Sequence, residues 1–154
     1  MKEQTGEAAH TRQPKFSEGV SRRRAAREWA VQILFRQDMN PVKPEKAVAD
    51  FWTQERAGAG DKAFAEELVC GVWAEKSKID EWISRSSANW TLDRMPATDR
   101  NVLRLGVYEL LCRKDIPASV SINEAVDLAR FFGASGSGKF VNGVLDRVRK
   151  ELGR

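Results

Sequence analysis

Apolar residues recur at intervals of three and four along most of the chain, and no useful run of strand-like alternation is present in the sequence. This spacing gathers apolar side chains on one face of a helix, so the pattern predicts helices and not strands. Helical segments are predicted to begin near Ser21, Glu45, Asp61, Ala97 or Thr98, Ser121 and Phe140, with a break near Ser77. The chain is therefore predicted to be all-α, a single-domain bundle of roughly six or seven helices.

Residues 121–148 show the strongest pattern, two apolar-striped helices around a turn rich in glycine and serine. Ser121 followed three residues later by Glu124 matches a capping box, in which a hydroxyl and a carboxylate satisfy free amides of the first turn. A helix is therefore predicted to begin at Ser121. Gly133 lies where a left-handed residue would end that helix, and the apolar stripe resumes at Phe140. These residues are predicted to form a helical hairpin on which the rest of the chain packs.

The segment from Ala97 to Cys112 is the most apolar of the chain, because apolar residues surround most of its circumference. Such a helix is expected to lie at the centre of a bundle, covered by its neighbours. The remaining line of the helix, at four-residue spacing, holds Arg100, Arg104 and Tyr108. The connector before it, residues 89–96, contains Trp90, Leu92 and Met95 and is expected to be anchored by these apolar side chains.

Met1–Val20 contain almost nothing to bury and are predicted to be a mobile tail, followed by one domain from Ser21 to Arg154. The 154-residue chain has a net charge of +4, and its two cysteines, Cys70 and Cys112, lie in apolar helical patterns. Buried free thiols in a reducing compartment are favoured over a disulfide or metal pair. No apolar run approaches the roughly 20 residues of a membrane span, so a cytoplasmic location is expected.

The sequence contains few residues of the types that form catalytic or metal sites, and they are not grouped along the chain. The only histidine, His10, falls in the predicted tail, and no paired carboxylate motif is present. Cys70, Cys112 and His10 lack the close spacing of zinc ligands. Because an enzyme needs converging reactive groups, the sequence predicts neither catalysis nor a metal or cofactor. Recognition of another molecule is the remaining class of function.

The turn GASGSGKF, residues 133–140, matches the phosphate-loop pattern at Gly133, Gly138 and Lys139. Phe140 stands where that pattern needs a magnesium-binding Ser or Thr, and helix formers precede the turn where a nucleotide loop would follow a strand. Nucleotide hydrolysis is therefore disfavoured, and a flexible turn between two helices is the default interpretation. An anion site built from Lys139 and the amides of a helix start stays open.

Basic residues cluster at the start of the first predicted helix. They are Arg22, Arg23, Arg24 and Arg27. Positive charges at this end oppose the helix dipole and cost about 0.3–1 kcal/mol each when exposed, so compensation from outside the helix is expected. Binding of a polyanion is one interpretation, since the planar guanidinium donates two hydrogen bonds to a phosphate. A solvated basic face is the other, and composition does not decide between them.

Several strings of the sequence can be compared with known families. They are RRRAAREWAVQILF at 22–35, ELVCGV at 67–72, ID at 79–80, VLRLGVYEL at 102–110, and IP, INEAVDLA, FFG and KFVNGVLD between 116 and 146. Together they resemble the bacterial transcription antitermination factor NusB family. The resemblance covers residues 22–152 and is most specific in the INEA and KFVNGVLD strings.

The resemblance implies an all-helical RNA-binding fold, spanning residues 21–154, that binds boxA RNA of ribosomal RNA leader transcripts together with the ribosomal protein NusE. The pair is then expected to join other Nus factors on RNA polymerase. The residues that the resemblance assigns to RNA are Arg22, Arg23, Arg24, Arg27, Lys139 and Phe140. Phe35 and Asp99 match positions where the family meets its ribosomal partner. Asp99 is expected to face outward, because a lone buried carboxylate is costly.

Two other functions stay open at this point. One is a NusB-like RNA-binding module of the kind joined to ribosomal RNA cytosine methyltransferases, although the sequence as given shows no βαβ pattern for a methyl donor. The other is a protein-binding adapter whose arginines are merely solvated. Salt-dependent binding of short RNA would separate the adapter from an RNA-binding factor.

Overall fold

The computed structural model describes residues 18–54 and 60–154, and within these ranges it contains seven α-helices and no strand. The helices are α1 (Glu18–Met39), α2 (Pro44–Gln54), α3 (Lys62–Ala74), α4 (Lys76–Ser86), α5 (Ala97–Cys112), α6 (Ala118–Phe132) and α7 (Ser137–Leu152), with a 3₁₀ turn at Leu92–Arg94. The prediction of an all-α bundle of six or seven helices is confirmed. None of these helices is long and apolar enough to cross a membrane.

The first helix begins at Glu18, earlier than the predicted start near Ser21. The rest of the predicted tail, including His10, lies outside the described residues, as does most of the glycine-rich stretch predicted to end the second helix. Asp61 caps α3 as predicted, because its carboxylate accepts a 2.9 Å hydrogen bond from the amide of Phe64. The predicted break near Ser77 occurs at Glu75, between α3 and α4.

Helix α5 lies at the centre of the bundle, as its apolar circumference predicted, and packs against α1, α3, α4, α6 and α7. Leu103, Leu105 and Leu110 are fully buried there. Gly106 lets α7 approach closely, since a Cβ atom at that position would lie only 2.7 Å from a methyl carbon of Leu145. The prediction that Cys112 is buried is wrong, because it lies exposed at the end of α5.

A line of polar side chains on α5 is satisfied by acidic residues of other helices. Arg100 Nη2 lies 2.7 Å from a carboxylate oxygen of Asp38, and Arg104 Nε lies 2.9 Å from one of Asp80. The hydroxyl of Tyr108 donates a 3.1 Å hydrogen bond to Glu67. Burial and the neighbouring Glu67 carboxylate raise the pKa of the Tyr108 hydroxyl. These contacts fix the rotation of the central helix, and therefore which residues reach the surface.

Helices α6 and α7 form the predicted hairpin, but both cap predictions are wrong. Helix α6 begins at Ala118, directly after Pro117, so Ser121 lies inside the helix and its hydroxyl donates to a carboxylate of another helix. Gly133 has an extended conformation (φ −98°), and the left-handed residue of the turn is Gly136 (φ 92°). The two capping-box residues therefore bond to other helices and not to the backbone of α6: Ser121 bonds to Glu109, and Glu124 pairs with Arg24.

Candidate nucleic-acid and protein interface

The basic cluster at the start of α1 divides into exposed and internal residues. Arg22 is exposed, and its Nη2 donates a 2.9 Å hydrogen bond to the carbonyl oxygen of Gly60. The guanidinium of Arg23 lies 4.6 Å from the centre of the Phe64 ring, in a cation–π contact at the surface. Neither residue pairs with a carboxylate of the described part of the chain. These two arginines keep their positive charge available to solvent.

Arg24 and Arg27 form ion pairs with carboxylates of other helices. Arg24 forms a bidentate pair with Glu124, at 2.7 Å and 3.2 Å, and its Nη2 lies 3.2 Å from Asp127. The hydrogen bonds that Arg24 donates to Glu124 raise the pKa of Arg24. The carboxylates of α6 therefore offset the unfavourable interaction between the charge of Arg24 and the dipole of α1. This part of the predicted compensation comes from within the chain.

Arg27 is only 3% exposed and forms a bidentate ion pair with Glu109 of α5. The expectation that it contacts an RNA phosphate is therefore wrong for this structure, because its guanidinium has no free surface. Arg27 joins the first helix to the central helix instead. No local pattern distinguishes these four neighbouring arginines, since the carboxylates that pair with Arg24 and Arg27 lie 100 and 82 residues away in the chain.

Lys139 and Phe140 lie in the first turn of α7, which follows the left-handed Gly136. Lys139 is exposed, and Phe140 is half-buried. The Phe140 ring meets the ring of Trp90 edge to face, with centroids 6.3 Å apart. The prediction that apolar side chains anchor the connector is confirmed for Met95, which is buried, and for Leu92, which packs against the core, but not for Trp90, which is 47% exposed. A tryptophan in a polar connector can indicate an exposed binding residue, but no surface role was predicted for Trp90 from the sequence.

The Trp90–Phe140 pair separates two surface cavities of about 290 and 320 Å³. Aromatic faces beside a lysine are suited to an unstacked base and its phosphate. This surface is distant from the basic cluster, because Arg27 pairs with Glu109 whereas Ser137 pairs with Asp99, ten residues or about 15 Å away along α5. The residues assigned to RNA therefore form two separate surfaces.

Asp99 is 4% exposed, and the expectation that it faces outward is wrong. Its carboxylate accepts a 2.8 Å hydrogen bond from the hydroxyl of Ser137, which in turn accepts a 3.0 Å bond from the amide of Ala134. The buried carboxylate is therefore satisfied within the chain. Asp99 fixes the turn that presents Lys139 and Phe140, and its contact with a protein partner stays a prediction.

Phe35 is 38% exposed and lies at a surface groove of about 260 Å³ between α1, the start of α5 and the end of α6. Val31, Arg36, Thr98 and Phe132 contribute to the lining of this groove. The adjacent Phe131 is also exposed, and its ring packs edge to face on Phe132 at 4.9 Å. An exposed apolar patch with a polar rim is typical of a protein-binding surface.

The described residues contain no group of three or more His, Cys, Asp or Glu side chains that could hold a metal ion. Cys70 and Cys112 are free thiols, half-buried and exposed respectively, and partial loss of hydration is the largest cause that raises the pKa of each. A raised pKa leaves less of the nucleophilic thiolate at neutral pH. Neither thiol is therefore activated as a nucleophile.

Comparison with known proteins shows which family this chain resembles in sequence and in fold. The NusB family model matches residues 24–150. The transcription antitermination protein NusB of Sorangium cellulosum is 44% identical over 132 residues, which cover 86% of this chain and 94% of that protein. The structure of T. maritima NusB is similar with a TM-score of 0.73 and 39% identity, over 83% of this chain and 90% of that one.

A crystal structure of the antitermination factors NusB and NusE in complex with double-stranded RNA is also similar. Its TM-score is 0.75 at 29% identity, and the match covers 83% of this chain and 96% of that one. The family model spans the central helix, most of the α6–α7 hairpin, and two of the four arginines of the basic cluster, Arg24 and Arg27. By its sequence and by its fold, this chain belongs to the NusB family.

Proposed function

We propose that this protein is an RNA-binding transcription antitermination factor. With the ribosomal protein NusE it recognises boxA RNA in the leader transcripts of ribosomal RNA operons, and it supports processive transcription of ribosomal RNA genes in the cytoplasm. Other Nus factors and RNA polymerase are then partners of the assembled pair. The family is one of transcription antitermination proteins and not of enzymes.

The proposal is supported first by the family and by a similar complex that contains NusB, NusE and RNA. The single structural observation that favours it most is the surface of Lys139, Phe140 and Trp90, where a cation adjoins two partly exposed rings. Rings of this kind stack on RNA bases, and a lysine attracts the phosphate between them. Arg22 and Arg23 supply a second cationic surface, and Arg24 contributes through its partly exposed edge.

The groove beside Phe35 is proposed as the surface that binds NusE. Its lining combines the apolar side chains of Phe35 and Phe132 with the polar side chains of Arg36 and Thr98. Asp99 lies at the start of the same central helix, where it acts on the neighbouring turn through Ser137. The protein surface and the Lys139 surface thus meet near the start of α5, which places RNA and protein partners side by side.

A gel shift with boxA-containing RNA and a scrambled RNA of equal length, with and without NusE, tests the function. We expect NusE to strengthen binding of the boxA RNA much more than binding of the scrambled RNA. Equal binding of both RNAs in the presence of NusE would contradict the assignment to boxA. Capture of NusE with no RNA binding at any salt concentration would favour the protein-binding adapter.

Replacement of Phe35 by alanine tests the protein surface separately. The variant is expected to weaken capture of NusE by about tenfold, the effect of losing one aromatic anchor, while thermal stability changes little because the ring is partly exposed. Val120→Ala is the matched control, since Val120 is a similarly exposed apolar residue on another helix. An equal loss in both variants would show that the groove is not the NusE surface.

A further inference from the structure

The first turn of α3 lies against the start of α1, where the basic cluster begins. The amide of Asp61 donates a 3.1 Å hydrogen bond to the carbonyl oxygen of Arg22. The carbonyl oxygen of Gly60, in turn, accepts the 2.9 Å bond from the side chain of Arg22. Gly60 is packed so closely against Trp29 that a Cβ atom at this position would collide with the indole ring. The start of α3 therefore holds Arg22 at two points, one on the backbone and one on the side chain.

The ring of Phe64, also in the first turn of α3, is surrounded by three guanidinium groups. Their central carbon atoms lie 4.6 Å from the ring centre for Arg23, 5.3 Å for Arg27 and 5.4 Å for Arg113. Phe64 is only 4% exposed, and its backbone amide is bound by the cap residue Asp61. The face of an aromatic ring attracts a cation that lies within about 6 Å of its centre. Phe64 is therefore a fixed support at which three positive charges meet.

Two of these three guanidinium groups are neutralised by carboxylates. Arg27 Nε lies 2.7 Å from Glu109, and Arg113 Nη1 lies 2.7 Å from Glu67. Arg23 differs, because no carboxylate of the described residues lies within 4.0 Å of it. Its cation–π contact with Phe64 is the interaction that the structure shows for this guanidinium. The ring is therefore what fixes the position of the Arg23 charge.

The carboxylate of Asp115, in the loop between α5 and α6, is held away from Arg23 by another arginine. Both of its oxygens accept hydrogen bonds from Arg113, at 3.0 Å and 2.9 Å. These bonds are the main cause that lowers the pKa of Asp115 to about 2, and the charge of Arg23 makes a smaller contribution. Asp115 is therefore charged at neutral pH but bound to Arg113, which leaves the Arg23 guanidinium to an anion from outside the protein.

Core packing alone accounts for an apolar residue at position 64, because an aliphatic side chain would also be buried there. It does not account for an aromatic ring beneath a guanidinium that forms no ion pair. A leucine side chain lacks the negative face of the ring, so it would leave Arg23 free to exchange among rotamers. Restraint of a long side chain before binding reduces the conformational entropy that is lost when it binds. The ring of Phe64 therefore lowers the cost of placing Arg23 on a phosphate.

We propose that Phe64 is a positioning residue for RNA binding. Its ring holds the guanidinium of Arg23 in the orientation that meets a phosphate, beside the Arg22 guanidinium that the Gly60 carbonyl holds. Phe64 itself contacts no RNA, because it is buried beneath these arginines. This inference rests on the proposed function and adds to it a residue that acts through Arg23.

The salt dependence of binding tests this role, measured by fluorescence anisotropy of a labelled single-stranded boxA-containing RNA at several salt concentrations. Phe64→Leu is expected to weaken binding about threefold, the size of one exposed cation–π contact. It is also expected to lower the salt slope by about 0.7, the value for one phosphate of a single strand. Phe64→Tyr keeps the ring, and its affinity and slope are expected to stay close to those of the wild type.

Phe51→Leu is the matched control for the loss of a buried ring. Phe51 is 1% exposed, and its ring supports the guanidinium of Arg36 at 5.1 Å, in the last turn of α1 and away from the basic cluster. This variant is expected to lose a similar amount of thermal stability and to keep the wild-type salt slope. An equal loss of RNA binding in Phe51→Leu and Phe64→Leu would show that core packing, and not the position of Arg23, explains the effect.

A double-mutant cycle with Arg23→Gln decides whether Phe64 acts through Arg23. Two residues that act as one unit have effects that do not add. Phe64→Leu is therefore expected to cause no further change of affinity or slope when Arg23 is already glutamine. A full effect of Phe64→Leu in the Arg23→Gln protein would overturn the proposal.

A ring-fluorinated phenylalanine at position 64 keeps the test valid if Phe64→Leu does not fold. Fluorine atoms withdraw electrons from the face of the ring and weaken its attraction for a cation, while the ring still fills its place in the core. The fluorinated protein is expected to bind RNA as weakly as Phe64→Leu. Wild-type binding by this folded protein would show that the ring does not position Arg23.

The outcomes separate this inference from the function as a whole. If the wild type binds boxA RNA and Arg23→Gln lowers the salt slope but the loss of the Phe64 ring does not, the positioning role is wrong and the proposed function stands. If the wild type binds no RNA even with NusE present, the proposed function fails and this inference fails with it.

Discussion

Arg27 and Glu109 face each other inside the protein, with Nε 2.7 Å from Oε2 and Nη2 3.0 Å from Oε1. The hydroxyl of Ser121 donates a further 2.7 Å bond to the same carboxylate. These three residues belong to three different helices, α1, α5 and α6. An arginine that composition marks as a phosphate ligand is thus part of the junction that holds the helices together.

Removal of one partner of this pair should therefore destabilise the fold. Arg27→Met is expected to reduce the free energy of unfolding by about 3–5 kcal/mol, because Glu109 remains as an uncompensated buried charge. Urea denaturation measures the loss. The double variant Arg27→Met/Glu109→Leu should recover much of it, since it buries no charge. A stable Arg27→Met protein with a reduced salt slope of RNA binding would show instead that Arg27 contacts phosphate.

Arg22 and Arg23 are expected to contact RNA phosphates without a large structural role. Arg22→Gln/Arg23→Gln should weaken binding of boxA and scrambled RNA alike, and should lower the salt slope by about 0.7 for each lost phosphate contact. The loss of stability should be about 1 kcal/mol or less, because Arg23 is only half-buried where it contacts the Phe64 ring. Lys43→Gln/Lys46→Gln changes the net charge equally at another exposed site, and an identical effect there would argue against specific contacts.

In the protein without a bound partner, Asp99 is expected to have a structural role. Asp99→Lys should lower the free energy of unfolding by about 3–5 kcal/mol, because it places an unpaired charge at a buried site. Asp99→Asn keeps an acceptor for the Ser137 hydroxyl and should cost only about 1 kcal/mol. Thermal denaturation followed by circular dichroism distinguishes the two. Wild-type stability of Asp99→Lys would indicate that the side chain can turn outward, toward a partner.

Asp38 should make stability depend on pH in acid. Burial alone would raise the pKa of this carboxyl, but hydrogen bonds from Arg100 at 2.8 Å and Asn101 at 3.0 Å hold the pKa below its ordinary value. A pKa that is lower in the folded state means that the carboxylate stabilises the fold above the unfolded-state pKa of about 3.9. That contribution is lost as pH falls through the folded-state pKa.

Asp38→Asn should therefore flatten the dependence of unfolding free energy on pH below about pH 4. The variant should also be less stable than the wild type at neutral pH, since Arg100 loses its partner. Urea titrations between acid and neutral pH measure both effects. Parallel curves for the two proteins would show that other carboxylates dominate the acid transition.

Much of the fold follows from local patterns. The periodic stripe of α1 predicted that Ala30, Ile33 and Leu34 are buried, and the apolar circumference of residues 97–112 predicted the central helix; the structure confirms both. These predictions hold because helical periodicity depends only on residues within a few turns. The capping-box prediction at Ser121 was also local, and it is wrong because Glu109 and Arg24 bind the two residues of the motif more effectively than the backbone does.

The sequence by itself determined the class of fold, the hairpin and the family, since each depends on short strings in a fixed order along the chain. Only the tertiary structure decided which arginines are exposed, because the carboxylates that bury Arg27 and restrain Arg24 come from α5 and α6. It also decided that Trp90 lies beside Phe140, 50 residues later in the chain. Charge pairing and aromatic contact depend on distance in space, and no local pattern encodes which surfaces of two helices meet.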